Sequence, residues 1–151
     1  MAVKQEYMFL KLGDIKGNAT TVGFEDQIVL QNMSYGISQR GSWEEGAQLS
    51  GRVTTFSDVS FVKLLDVASP SIATACAAKQ QFLRAEISVT AGTKDAYYKL
   101  TLEKVLVTSI STAISAGEGH PSESFTLSFR KGIWEYGKAR GGYDLETNQK
   151  A

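Results

Sequence analysis

The sequence predicts one mainly β domain: a β-barrel of two sheets, with one flanking α-helix at about residues 70–79 and a long exposed loop at about 40–52. Three observations lead there. Val, Ile, Thr, Phe, Tyr and Trp make up about 30% of the chain and fall in short alternating runs, the pattern of half-buried strands. Glycines and polar clusters punctuate those runs as turns. Only one stretch, rich in alanine and headed by Ser-Pro, has helical character.

The strands follow in order. Tyr7 to Leu12 is the first, closed by Gly13-Asp14-Ile15-Lys16-Gly17, whose glycines are expected to supply positive φ. Gln27 to Leu30 and Met33 to Gln39 come next. In the latter, period-2 alternation sends Met33, Tyr35 and Ile37 one way and Ser34, Gly36 and Ser38 the other. Arg40 to Arg52 lacks sustained alternation and reads as an exposed loop around Trp43-Glu44-Glu45; a loop that long in a compact domain calls for a function. Val53 to Phe56 and Val59 to Leu64 precede the helix, where Ser69 is the expected N-cap, Pro70 suits the first turn, and Ile72 and Cys76 share the docking face. Ala85 to Thr90 and Tyr97 to Leu102 form a hairpin. Lys104 to Ser111, Ser124 to Arg130 and Ile133 to Gly137 complete the set, and Lys138 to Ala151 reads as a polar tail. No linker or repeat divides residues 1–151, so one domain is expected.

Composition excludes several function classes. Sixteen Lys and Arg balance sixteen Asp and Glu, which removes the broad positive field that non-specific nucleic-acid or anionic-lipid binding requires, so no nucleic-acid partner is expected. One Cys and one His supply neither a disulfide nor a Cys- or His-rich metal site; no metal and no cofactor are expected. The opening Met1-Ala-Val-Lys-Gln-Glu-Tyr7 has no apolar signal core, and no apolar run reaches membrane-spanning length. The expectation is a protein made in the cytoplasm without a signal peptide.

Catalytic motifs are absent. There is no G-x-S-x-G elbow, no G-x-x-x-x-G-K-[ST] phosphate loop and no G-x-G-x-x-G. His120 lies near Glu118 and Glu123 in sequence, but proximity along a chain does not make a triad, and it reads as a solvated loop histidine. Gly137 to Gly142 carries cations without the spacing of a phosphate site and reads as a turn. Cys76 reads as a small buried hydrophobe, and the Asn18 and Asn32 sequons as chance matches. No residue is assigned a catalytic role.

Several segments, in order, resemble the haemolysin-coregulated protein (Hcp) family of the bacterial type VI secretion system. They are Met8-Phe-Leu-Lys-Leu-Gly-Asp-Ile-Lys-Gly17, Gly36-Ile-Ser-Gln-Arg-Gly-Ser42, Asp58 to Asp66, Ser69-Pro70 through Cys76, Lys104 to Ser111, Glu123 to Phe129, and Gly142-Tyr-Asp-Leu-Glu-Thr-Asn148. The resemblance implies a barrel with one helix, hexameric rings stacked into a tube, a contractile sheath around the tube and a VgrG spike at its end. It also implies ejection on contraction and small effectors carried in the lumen. In that setting Ser34, Gly36 and Ser38 would line the lumen and meet cargo. Ser42, Trp43, Glu44, Glu45 and Gln48 of the long loop would stack rings, with Trp43 as apolar anchor. The competing expectation is a monomeric cytoplasmic ligand-binding β-barrel.

Overall fold

The computed structural model describes residues 6–43, 49–92, 94–117, 119–147 and 149–151, with 40–43 and 49–53 described by their backbone. The strands are β1 (Met8–Leu12), β2 (Ile28–Val29), β3 (Asn32–Ser34), β4 (Ile37–Trp43), β5 (Leu49–Phe56) and β6 (Val59–Leu64). Helix α1 (Ser69–Ala77) follows, then β7 (Gln81–Thr90), β8 (Ala96–Ala113), β9 (Ser122–Ser128), β10 (Lys131–Tyr136), β11 (Ala139–Asp144) and β12 (Gln149–Lys150).

Among the described residues all strand pairings are antiparallel, and they run in a circuit. β1 pairs with β7, β7 with β8, β8 with β9, β9 with β6 and β6 with β3. β3 is joined to β2 through Leu30 and Gln31, and β2 pairs back with β1. At this link the Leu30 N–H donates to the Met8 carbonyl (2.9 Å), while the next N–H, of Gln31, donates to the Val62 carbonyl (2.7 Å). One short segment therefore bridges β1 and β6, and the barrel wall returns to its start. β10, β11 and β12 extend the wall from the first half of β8, and β4 with β5 forms a separate two-stranded ribbon.

Strand alternation explains the core. Leu10 and Leu12 of β1, Val59 and Phe61 of β6, Ile87 of β7, Leu100 and Leu102 of β8, and Phe125 and Leu127 of β9 are buried in one cluster. Phe61 and Phe125, opposite one another in the ladder, stack at 4.9 Å. Phe9 points to the other side of β1, where Phe24 stacks on it at 4.4 Å beneath the 18–26 loop, so this strand is covered on both faces.

Several strand and turn features differ from expectation. The loop at 40–52 is mostly ribbon: β4 continues to Trp43 and β5 begins at Leu49, because cross-strand pairing regularises a stretch that lacks alternation of its own. Met33 to Gln39 is two strands in two sheets; Met33 and Tyr35 pack on the core, but Ile37 is 48% exposed on the ribbon. β8 is one 18-residue strand rather than two, bent at Lys104, whose φ of 57° takes up the kink. It pairs with β10 before the bend and β9 after it. The tail folds back as β11 and β12, turning at Gly137 (φ 58°), so only the start of the 137–142 stretch is a turn. Gly13 has the expected positive φ of 53°, but Gly17 does not; it is glycine for space, since a Cβ there would lie 2.5 Å from the Gln27 carbonyl oxygen.

The helix docks as expected through Ile72, with Ala75 buried beside it and Cys76 half-buried against the same cluster. Its cap is different. Ala68 occupies the N-cap without a side-chain bond, and Ser69 is the first helical residue, its hydroxyl turned inward to Lys63 and to the Asp66 N–H. Asp66 does the capping work from outside the helix, its Oδ1 accepting from the Ala68 N–H at 3.0 Å.

Candidate functional site: a hydroxyl-bearing sheet face and a projecting ribbon

The alternation that buries Met33, Phe61 and Phe125 turns their neighbours outward. Ser34 lies opposite Ser60, Ser60 opposite Thr126, and Thr126 opposite Ser109. A second row runs Asn32, Val62, Ser124 and Ser111. The result is a broad outer face of short, uncharged side chains spread over four strands. A bulge between Val107 and Ser109 brings Thr108 onto this face as well. The Ser109 and Thr126 hydroxyls meet at 2.6 Å, those of Thr126 and Thr108 at 2.6 Å, and Thr108 donates to Asp58 Oδ2 at 2.7 Å. Hydroxyls are thereby oriented along one chain that ends on a carboxylate acceptor.

Ser34 stands on this face, exposed. Gly36 and Ser38 are exposed too, but beyond the break that separates barrel from ribbon, so the three do not form one continuous strand. Gly36 is held at the break by Ser57: its N–H donates to Ser57 Oγ (2.7 Å), and its carbonyl accepts the Ser57 N–H and O–H (both 2.9 Å). Tyr35, between them, points inward and meets Tyr98 of β8, hydroxyl to hydroxyl, at 2.5 Å. Burial, together with the hydrogen bond to Tyr35, pushes the Tyr98 phenol well above its ordinary ionisation range.

The ribbon stands on an aromatic seat. Phe56, at its base, stacks on Phe129 at 4.8 Å and meets Trp134 and Tyr143 edge-on, each at 6.0 Å. Ser42 and Trp43 are at the far end of β4, opposite Ser50 and Leu49. Glu44, Glu45 and Gln48 lie outside the described residues, as does Glu118.

His120 meets the chain through Nε2, 2.8 Å from the Leu65 carbonyl oxygen. Glu123 faces inward instead, with Lys63, and this cluster went unrecognised in the sequence. Lys63 has a wholly buried side chain whose ammonium reaches Asp66 Oδ1 and Ser69 Oγ at 2.8 Å, the Leu64 carbonyl at 3.3 Å and Glu123 Oε1 at 3.6 Å. The signal was available: in β6 and β9, period 2 puts Lys63 in series with Val59 and Phe61, and Glu123 in series with Phe125 and Leu127.

Residues 9–136 match the family model for the type VI secretion system effector Hcp. The chain belongs to the Hcp family. It is 33% identical to the Protein hcp1 of Pseudomonas aeruginosa over 95% of this chain and 98% of that one. The fold is also that of solved Hcp structures: Hcp1 from Salmonella typhimurium aligns with a TM-score of 0.83 at 25% identity, over 98% of this chain and all of that one. A type VI secretion system effector from Yersinia pestis aligns at 0.77 and 21% identity, over 91% and 98%. This Hcp chain is thus a type VI secretion protein.

Proposed function

We propose that this Hcp protein is a structural subunit of the type VI inner tube: six copies form a ring, rings stack head-to-tail, and sheath contraction ejects the tube with small effectors in its lumen. The observation that carries the reading is the family match across 9–136, joined to a fold whose distinctive surfaces are a wide hydroxyl face and a projecting ribbon. A ring made by repeating one contact is heterologous, with two different patches per subunit. The hydroxyl face around Ser34, with Gly36 and Ser38 beyond the break, suits a lumen wall: its short side chains are mostly uncharged and offer hydrogen bonds, and the Asp58 carboxylate is engaged by Thr108, so little charge is left to select one cargo. The ribbon, with Ser42 and Trp43 at the far end of β4 and Glu44, Glu45 and Gln48 between its two strands in sequence, suits the contact between rings. A two-stranded ribbon has too little surface to be stable alone and gains from a neighbour against it.

The work assigned here is done by surfaces, so the protein is not an enzyme, and it needs no cofactor. Its partners are copies of itself, the sheath, the VgrG spike and small effectors, and its path is from cytoplasm to exterior through the secretion system. Among the described residues no helix is long and apolar enough to cross a membrane. Light scattering on the purified chain tests the ring. A mass near six subunits is expected, whereas a monomer at micromolar concentration in ordinary salt overturns the proposal and favours a monomeric binding barrel.

A further inference from the structure

The segment that closes the barrel also leaves a gap. Because β2 pairs with β1 and β3 with β6, the link through Leu30 and Gln31 passes between β1 and β6, and a cavity of about 430 Å³ lies beside it. Met8, Val29, Leu30 and Leu64 give it apolar walls. Two carboxylates, those of Glu6 and Asp66, line it together with Tyr7, Asn18, Gln31, Leu65 and His120, whose Nε2 is engaged at the Leu65 carbonyl; none of the described residues that line it is Lys or Arg.

Both carboxylates are built in. Glu6 accepts hydrogen bonds from the backbone N–H and hydroxyl groups of Thr20 and Thr21; burial alone would raise its pKa, but these bonds together hold it below the ordinary carboxylate value. The Asp66 side chain is only 7% exposed. Its Oδ1 is occupied by Lys63, Ser69 and the Ala68 N–H, whereas Oδ2 accepts no hydrogen bond among the described residues. The one nearby ammonium, Lys63, is wholly buried in its own cluster. Glu6, Asp66 and Glu123 thus stand against one ammonium, which is already committed to Asp66 and Glu123, and an apolar cleft with that excess of negative charge is complementary to an aliphatic chain that ends in a positive charge.

We infer that this cavity is a binding site for an alkylammonium group, with the aliphatic stem against Met8, Leu30 and Leu64 and the ammonium at Asp66 and Glu6. The site is independent of the proposed lumen and ribbon surfaces. Two sources share the chemistry, a free aliphatic amine and a lysine side chain on a partner protein.

Calorimetric titration of the full-length chain at neutral pH, with hexylamine, hexanol and hexanoate as probes, tests the assignment. Hexylamine is expected to bind at least about tenfold more tightly than either control. Asp66→Asn keeps an Oδ1 acceptor for Lys63 but removes the charge, and should lose that preference. Gln31→Lys, at an exposed position on the cavity rim, places an ammonium of the chain's own there and should lose hexylamine binding even if Asp66→Asn fails to fold. Tighter binding of Nα-acetyl-lysine amide than of hexylamine would assign the site to a lysyl side chain, and the reverse order to a free amine. Equal binding of the three probes, no binding up to about 10 mM, or parental binding by a folded Gln31→Lys would each overturn the inference.

Discussion

Replacing Lys63 by Met is expected to be among the most damaging substitutions in the barrel, although the two side chains are similar in length. The ammonium of Lys63 is within 2.8 Å of Asp66 Oδ1 and Ser69 Oγ, 3.3 Å of the Leu64 carbonyl and 3.6 Å of Glu123 Oε1, and its side chain has no exposure. Glu123 is likewise wholly buried, and neither of its oxygens accepts a hydrogen bond from a described residue, so Lys63 is the charge that balances it. Removing one partner of a buried ion pair costs about 3 to 5 kcal/mol, because the other charge remains without compensation. In a chain of this length that corresponds to a fall in Tm of about 6 to 20 °C. Chemical denaturation at fixed protein concentration, followed by far-UV circular dichroism, measures it, and the same experiment on Glu123→Leu with Lys63→Met should recover part of the loss, since Glu123 then leaves no uncompensated buried charge, and only part, since Asp66 still lacks its ammonium. Ser69→Ala should cost less, about 1 to 2 kcal/mol, through the inward bonds to Lys63 and Asp66. A Lys63→Met variant within about 1 kcal/mol of the parent would refute the view that this cluster clamps α1 to β6 and β9.

Three further outcomes follow from other parts of the molecule. Gly17→Ala should destabilise by about 3 kcal/mol or more, because its Cβ would meet the backbone of Gln27 and Ile28 at 2.5 Å, while Gly141→Ala, with nothing within 4 Å, should stay within about 0.5 kcal/mol of the parent in the same denaturation assay. The folded-state pKa of Tyr98 lies above its unfolded value, so its contribution to stability is present below about pH 10 and is lost as pH rises beyond it; denaturation midpoints should fall on that alkaline limb, and less so in Tyr98→Phe. For the tube, Trp43→Ala should leave rings intact and reduce their stacking in electron micrographs, and Ser34→Gln should preserve rings while lowering the amount of co-purifying effector; parental behaviour of either variant would remove that residue from its proposed surface.

Local chemistry was enough to read much of this protein from its sequence. Alternating runs of β-branched and aromatic residues specify strands because period 2 presents one apolar face, so β1, β6, β9 and the β7–β8 hairpin were legible. Ser69-Pro70 and the alanines specified a helix at nearly its observed place, and the ordered resemblances along the chain indicated the family before any geometry was known. What alternation cannot express is which sheet a strand joins or what faces a buried position from a distant strand. Tyr35 and Gly36 look like the middle of one strand, yet pairing with β6 on one side and β5 on the other makes them a boundary. The same holds for Ser69, an N-cap by local preference that turns inward because Lys63 and Asp66 offer a buried charge and a backbone donor. Arg40 to Arg52 and the stretch after Gly137 have weak intrinsic strand character, and only pairing partners supplied by the fold made β5, β11 and β12 of them. The cavity at Leu30 and Gln31 is a tertiary product of the same kind, since it lies where a short segment passes between β1 and β6, two strands distant in sequence.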